Sequence, residues 1–214
     1  MTLPIEIWAV FLISAYGVSI YPGPNNILAL SNGSRFGVRA SCVAGCLGRL
    51  PAFAIQIGLT AIGLGALLAA SETAFTVLKY LGAAYLVYLG LRMIFAAVDV
   101  DAEAAAIDTA ADGRIGVLAR RDFFTAISNP KSILLFTAFF PQFVDPTQPA
   151  IPQFAMLGAP FLVLEATAIW AYAAGGDRLK RLMRSPRSRT WLNRATGGAL
   201  IGAAGLLAVS ERPA

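Results

Sequence analysis

Three charged side chains lie inside long apolar stretches of the sequence, where charges are rare: Arg49, Lys131 and Glu165. A charge held inside a bilayer costs about 3 kcal/mol or more, so such a residue is expected to have a function or a partner. Glu165 could carry a proton, because burial favours the neutral form of a carboxyl group. It could equally neutralise Arg49 or Lys131 in a structural ion pair, and the sequence leaves both interpretations open.

Two of the apolar stretches are interrupted by proline next to polar residues. One contains Tyr21-Pro-Gly-Pro-Asn-Asn26, and another contains Ser128-Asn-Pro-Lys131 followed by Phe140-Pro-Gln-Phe143. Proline removes a backbone donor, and such backbone is tolerated in a membrane where it is buried in protein or lines a watery cavity. Single proline kinks are common in membrane helices, but these clusters favour a binding site at interrupted helices. The predicted binding residues are Pro22, Gly23, Pro24, Asn25, Asn26, Arg49, Asn129, Pro130 and Lys131, with Glu165 as the candidate proton-coupling residue.

Many catalytic chemistries are excluded by composition. The chain has no histidine, which removes Ser/His and Cys/His relays and histidine-ligated zinc and haem sites. Cys42 and Cys46 are four residues apart and form no CxxC motif, so they read as small residues on a packed helix face. We therefore predict no catalytic residue, no metal, no cofactor and no enzymatic activity. A membrane thiol-redox protein that uses these two cysteines is one alternative.

The elements that must position these residues are transmembrane helices. Of the 214 residues, 57% are hydrophobic and 14% are charged, whereas about 25% are charged in ordinary soluble domains. A bilayer core needs about 20 apolar residues per helix, so the whole chain, residues 1–214, is predicted to form one all-α, polytopic transmembrane domain with six spans. These spans are residues 7–31, 40–71, 73–98, 123–144, 151–175 and 191–210.

The six spans divide into two halves. The first half is residues 1–97, the second is residues 123–214, and between them residues 98–122 are rich in alanine and aspartate and predict a solvated cytoplasmic linker. Because each half has three helices, an odd number, the two halves are predicted to cross the membrane in opposite orientations. This is the inverted-repeat arrangement of many transporters. Helices one and four are the interrupted ones. Gly198 and Gly202 have the spacing of a close helix contact, either within the monomer or in a homodimer.

The positions of lysine and arginine predict the orientation. Most of the 17 basic residues lie in the connection after the first helix, in the central linker and between Arg178 and Arg194. Because such loops face the cytoplasm, both termini are predicted to be extracytoplasmic.

The net charge of +5 therefore reflects topology, and no nucleic-acid partner is expected. The cluster at Arg178–Arg194 could also attract anionic lipid. Glu6 stands where a secretory signal would be basic, so the first helix is expected to be retained.

Several segments, in order along almost the whole chain, resemble the signatures of the lysine-exporter (LysE/RhtB) family of amino-acid effluxers. These segments are Tyr21–Asn26, Gly33–Ala40, Lys79–Gly90, Ser128–Ser132 and Phe140–Phe143. The resemblance implies a multi-pass secondary transporter of the bacterial inner (plasma) membrane. It also implies export of amino acids or related small metabolites in exchange for protons.

The sequence departs from the family pattern at Arg49, where a small or acidic residue is usual. A fixed cation would repel cationic substrates such as lysine, so we expect a small neutral zwitterion. Arg49 or Lys131 could hold its carboxylate, and Glu165 with carbonyls near Pro22 and Pro24 could hold its ammonium. A non-transporting scaffold subunit is the other alternative, although it gives no reason for three intramembrane charges. The sequence does not determine which substrate is carried.

Overall fold

The computed structural model describes residues 5–71 and 113–185, together with scattered positions within 73–95 and 190–202. All secondary structure in this described part of the chain is helical. The helices are α1 (Ile5–Ile20), α2 (Pro24–Phe36), α3 (Val38–Ala70), α4 (Ile115–Ile127), α5 (Pro130–Leu134) and α6 (Ala150–Arg184). Helix α5 continues into a π-helical turn, Leu135–Phe139, and a 3-10 turn, Phe140–Phe143.

Both predicted interruptions are present as sharp bends. Helices α1 and α2 meet at 58°, and α4 meets the segment Pro130–Phe143 at 52°. Each break precedes a helix that starts with proline, whose missing N–H costs nothing in the first turn. The second bend lies at Ser128 and Asn129, whereas Pro141 lies in the 3-10 turn that ends the segment.

Two unbroken helices are long and apolar enough to cross a membrane, over Val38–Leu67 and Ala150–Gly176. The described residues therefore contain two candidate spans, or up to four if each bent pair is one span. The predicted third and sixth spans fall mostly outside the described residues, so six spans stay a prediction. A Cβ built on Gly198 or Gly202 meets no described atom within 4 Å, and the dimer also stays a prediction.

The predicted linker overlaps a helix at its end. Helix α4 begins at Ile115, well before the predicted boundary at residue 123, and places Asp122 in the protein interior. Residues 98–112 lie outside the described part of the chain. The predicted boundary of the linker at residue 122 is therefore too late, because Leu118 and Asp122 are already buried in the protein.

Close helix packing depends on two glycines. A Cβ on Gly33 of α2 would lie 2.2 Å from the Ala173 carbonyl oxygen of α6. A Cβ on Gly48 of α3 would lie 2.1 Å from the Ala119 carbonyl oxygen of α4. Both distances are far inside van der Waals contact, so only glycine allows these helix pairs to approach so closely. The glycines bring α2, α3, α4 and α6 together around the polar residues.

A cluster of phenylalanine rings fills the core at one end of this bundle. Its members come from α1 before the first break, from the segment after the second break, and from α3 and the first half of α6. Neighbouring rings pack with centroids 4.8–6.3 Å apart, the range of favourable aromatic pairs. The buried rings are Phe11, Phe53, Phe136, Phe139, Phe140, Phe143, Phe154 and Phe161.

Candidate functional site

The two helix breaks contact each other directly. The Lys131 ammonium donates a hydrogen bond to the Tyr21 carbonyl oxygen, with 2.9 Å between Nζ and O. The Asn129 side chain donates from Nδ2 to Oδ1 of Asn25 at 2.8 Å. Asn129 also caps α5, because its Oδ1 accepts from the Lys131 backbone N–H at 3.0 Å. The structure thus brings the residues predicted from the two halves of the chain into one place.

Arg49 lies at the centre of the site and is fully buried. Its Nε donates to Asp122 Oδ1 at 3.1 Å, and its Nη1 donates to Glu165 Oε1 at 3.0 Å. Nη1 also donates to Asn26 Oδ1 at 3.0 Å. Nη2 donates to the Asn25 carbonyl oxygen and reaches Asp122 Oδ2 at 3.5 Å. A guanidinium has five N–H donors, and in this arrangement all five are used within the protein.

Asp122 belongs to this buried cluster and was not selected by the sequence reasoning. Its side chain is 1% exposed, and it accepts from Arg49 and from Nδ2 of Asn25 at 2.9 Å. Because Asp122 follows two arginines, the local composition resembles solvated linker. The helical spacing carried the missing signal, since Leu118, Asp122 and Ala126 recur every four residues and form the buried stripe of α4.

The buried ion cluster has unequal numbers of charges. Two carboxylates, Asp122 and Glu165, share the single guanidinium of Arg49. With both carboxyl groups ionised the cluster carries one surplus negative charge. Buried charge is stable only when it is paired and hydrogen-bonded. The cluster is therefore suited to take up one further positive charge, either a proton or a cationic group.

In the structure Glu165 lies beside Arg49, whereas Lys131 lies beside a backbone carbonyl group. Glu165 contacts Arg49, one of the two bases offered by the sequence as its partner, at 3.0 Å. Lys131 contacts the Tyr21 carbonyl oxygen, one of the backbone dipoles that the first break exposes, and its Nζ also lies 5.6 Å from the Tyr21 ring centroid.

Side chains satisfy other carbonyl groups at the breaks. The Tyr172 hydroxyl donates to the Ile20 carbonyl oxygen at 2.7 Å. Gln56 Nε2 donates to the carbonyl oxygens of Ala126 and Ile127 at 3.4 and 3.0 Å. Neither Gln56 nor Tyr172 was selected by the sequence reasoning, because each binds backbone of a remote segment. Their role is to make non-helical backbone tolerable inside the protein.

A small cavity lies between the two breaks. Its volume is about 20 Å³, room for about one water molecule. An amino acid can enter only when the surrounding helices move apart. Pro22, Pro24 and Pro130 shape the breaks. Arg49 hydrogen-bonds two residues of the cavity wall, Asn25 and Asn26. The predicted site residues that line the cavity are Gly23, Asn25, Asn26, Asn129, Lys131 and Glu165.

The cavity wall combines opposite charges with apolar surface. Lys131 and Glu165 both line it, so a base and an acid face one space. Phe53, Leu135 and Phe161 form an apolar part of the wall. This combination suits a small molecule that carries an anionic group, a cationic group and a short side chain.

The described part of the chain includes no group of three or more Asp, Glu or Cys residues placed to hold a metal ion. Cys46 is exposed and Cys42 is partly exposed on α3, and neither contributes to the cavity wall described above.

Comparison with known proteins gives a consistent result. The family profile described as LysE type translocator matches residues 17–211. A Vibrio cholerae protein named "Uncharacterized membrane protein" is 36% identical over 98% of this chain and all of its own length. A homoserine/homoserine lactone efflux protein of Salmonella typhimurium is 34% identical over 95% of this chain and 96% of its own. A leucine efflux protein of Salmonella choleraesuis is 32% identical over 73% of this chain and 69% of its own. No solved structure matches the chain significantly.

Proposed function

The chain belongs to the LysE type translocator family, and on that premise we propose that it exports a small neutral amino acid, or a related zwitterion, in exchange for a proton. Members of this family are translocators rather than enzymes, and relatives of this chain are named amino-acid efflux proteins. The bacterial inner membrane, with both termini outside the cytoplasm, is the proposed location. One observation carries the proposal: the cavity between the breaks is lined by one ammonium, Lys131, and one carboxylate, Glu165.

Lys131 is proposed to bind the substrate carboxylate. Its ammonium has three N–H donors, and its bond to the Tyr21 carbonyl oxygen orients it at the cavity wall. Arg49 is less suited to this role than the sequence suggested, because its five donors already serve Asp122, Glu165, Asn25 and Asn26. Arg49 is therefore proposed to hold the acidic groups and the first break in position.

Glu165 is proposed to bind the substrate ammonium and the coupling proton in turn. It lines the cavity and belongs to the ion cluster with a surplus negative charge. A substrate ammonium and a proton would each neutralise that surplus, and binding both would leave a net positive charge on the buried cluster. Because the two compete for one charge, protonation of Glu165 favours release of the substrate. Such competition is the requirement for exchange of substrate against proton.

Transport by the purified protein in liposomes tests the role of Lys131. We expect uptake of labelled neutral amino acids into liposomes preloaded with the same amino acid. Replacing Lys131 with Met keeps the stem without the charge, so KM should rise strongly and discrimination against amide or ester analogues should be lost. Lys131→Arg should be intermediate, because its forked cation is larger. Unchanged KM and discrimination in Lys131→Met would contradict carboxylate binding.

Replacing Glu165 with Gln tests the coupling. Gln keeps the shape but stays neutral, so net efflux driven by a proton gradient should be lost, while substrate exchange should continue with a raised KM because the Gln carbonyl oxygen still accepts a hydrogen bond from the substrate ammonium. Retained proton-driven efflux would contradict the proposed coupling role. The structural alternative gives a different pattern: Glu165→Gln would unfold easily and would regain stability only when Arg49 and Asp122 are neutralised together, because Asp122 also pairs with Arg49.

A further inference from the structure

The Ser19 hydroxyl is an unpaired polar group in the wall of the cavity. Ser19 lies in the last turn of α1 and is 2% exposed. Its carbonyl oxygen accepts from Asn26 Nδ2 at 2.7 Å, but its Oγ has no hydrogen-bond partner among the described residues. A buried hydroxyl without a partner is costly, so such a group needs an explanation.

Other helical hydroxyl groups in this protein avoid that cost locally. Ser34 donates to the Leu30 carbonyl oxygen at 2.7 Å, and Thr60 donates to the Gln56 carbonyl oxygen at 2.8 Å. Each uses the carbonyl four residues earlier, which is the usual local partner of a helical Ser or Thr. Ser19 faces the cavity instead. Its hydroxyl is thus available to a molecule in that space.

The other polar side chains of the wall are already engaged with protein. The amide of Asn25 donates to Asp122, and that of Asn129 donates to Asn25. The Ser132 hydroxyl has two carbonyl acceptors within reach of its single hydrogen, those of Ala126 at 3.0 Å and Asn129 at 2.9 Å. If Lys131 and Glu165 take the charged groups of an amino acid, the rest of the wall offered to its side chain includes Phe53, Leu135, Phe161 and the hydroxyl group of Ser19.

We infer that Ser19 is a specificity-determining residue that hydrogen-bonds a hydroxyl group on the side chain of the transported amino acid. The inference rests on the proposed function and narrows its substrate class to short amino acids with a side-chain hydroxyl. An aliphatic side chain of the same size would leave Ser19 unpaired in the closed site. A site built to pair a substrate hydroxyl rejects the analogue that lacks it.

Matched substrate pairs in liposomes test this inference. Homoserine and norvaline, and threonine and valine, differ by a hydroxyl group in place of a methyl group. For at least one pair, the wild-type protein should transport the hydroxyl member with a kcat/KM about tenfold higher, the value of one good hydrogen bond. Ser19→Ala should abolish that preference and should transport the methyl member at least as well as the wild type does.

Ser41→Ala is the matched control, because Ser41 is equally buried but already donates to the Ala29 carbonyl oxygen at 2.9 Å. It should keep the wild-type preference. If Ser19→Ala does not fold, Ser19→Cys keeps nearly the same size with a weak donor and should lose most of the preference.

The possible outcomes distinguish failure of the role of Ser19 from failure of the proposed function. The role of Ser19 is overturned if the wild-type protein transports amino acids but prefers the methyl members. It is also overturned if Ser19→Ala leaves the preference unchanged. Both results leave the proposed function standing. A wild-type protein that transports no amino acid overturns the proposed function and the inference with it.

Discussion

Replacing Arg49 with glutamine should destabilise the protein more than loss of any exposed charge. Arg49 is fully buried and is shared by Asp122 and Glu165, both of which are buried as well. Glutamine can keep some hydrogen bonds but supplies no positive charge. The variant therefore leaves two carboxyl groups in the interior without their cation.

The expected loss follows from the burial of this cluster. Removing one partner of a buried ion pair typically costs about 3–5 kcal/mol of folding free energy. For a chain of this length each kcal/mol lowers Tm by about 2–4 °C, so the decrease should be roughly 6–20 °C. The measurement is thermal unfolding of the detergent-purified protein. Arg39→Gln is the matched control, because Arg39 is exposed near the start of α3 and its loss should leave Tm nearly unchanged.

Neutralising the acids should restore stability. Adding Asp122→Asn and Glu165→Gln to the Arg49→Gln variant removes the uncompensated charge and should recover most of the lost Tm. The same variants form a mutant cycle whose interaction energy should be large, because the groups are in contact. If Arg49→Gln unfolds at the wild-type Tm, or if the acid replacements lower Tm further, the buried carboxyl groups do not depend on the charge of Arg49.

Three further predictions concern the breaks, the helix packing and the topology. Replacing Pro22 and Pro24 together with alanine should straighten the 58° bend and abolish transport while insertion is retained, measured by transport in liposomes. Replacing Gly48 with alanine should cost about 1–3 kcal/mol and lower Tm, because the new methyl group meets the Ala119 carbonyl oxygen. A reporter fused at the C-terminus should be extracytoplasmic, and one inserted near Arg184 should be cytoplasmic.

Each of these predictions has a clear contrary result. Gly58→Ala is the matched control for Gly48, because a Cβ at Gly58 meets no described atom within 4 Å and should leave Tm almost unchanged. Equal effects of the two alanines would contradict the close-contact argument. Normal transport by the double proline variant would reduce the first break to a kink, and reversed reporters would overturn the orientation.

The sequence by itself determined the class of protein and the places where its helices break. Apolar stretches predict membrane helices because the bilayer sets their length. Proline beside glycine or asparagine predicts the bends at residues 21–23 and 128–129, because the missing backbone donor acts locally. Arg49, Lys131 and Glu165 stood out for an equally local reason, since a charge among apolar residues must be compensated.

Only the tertiary structure decided which of these groups meet. Glu165 pairs with Arg49, while Lys131 binds the carbonyl oxygen of Tyr21 at the opposite break. Asp122 joined the site because α4 begins before the apolar stretch does and its buried stripe carries that acid inward. Ser19 became notable only once its hydroxyl was seen in the cavity without a partner. Such pairings depend on contacts between segments about a hundred residues apart, and these arise from helix packing, which no local pattern encodes.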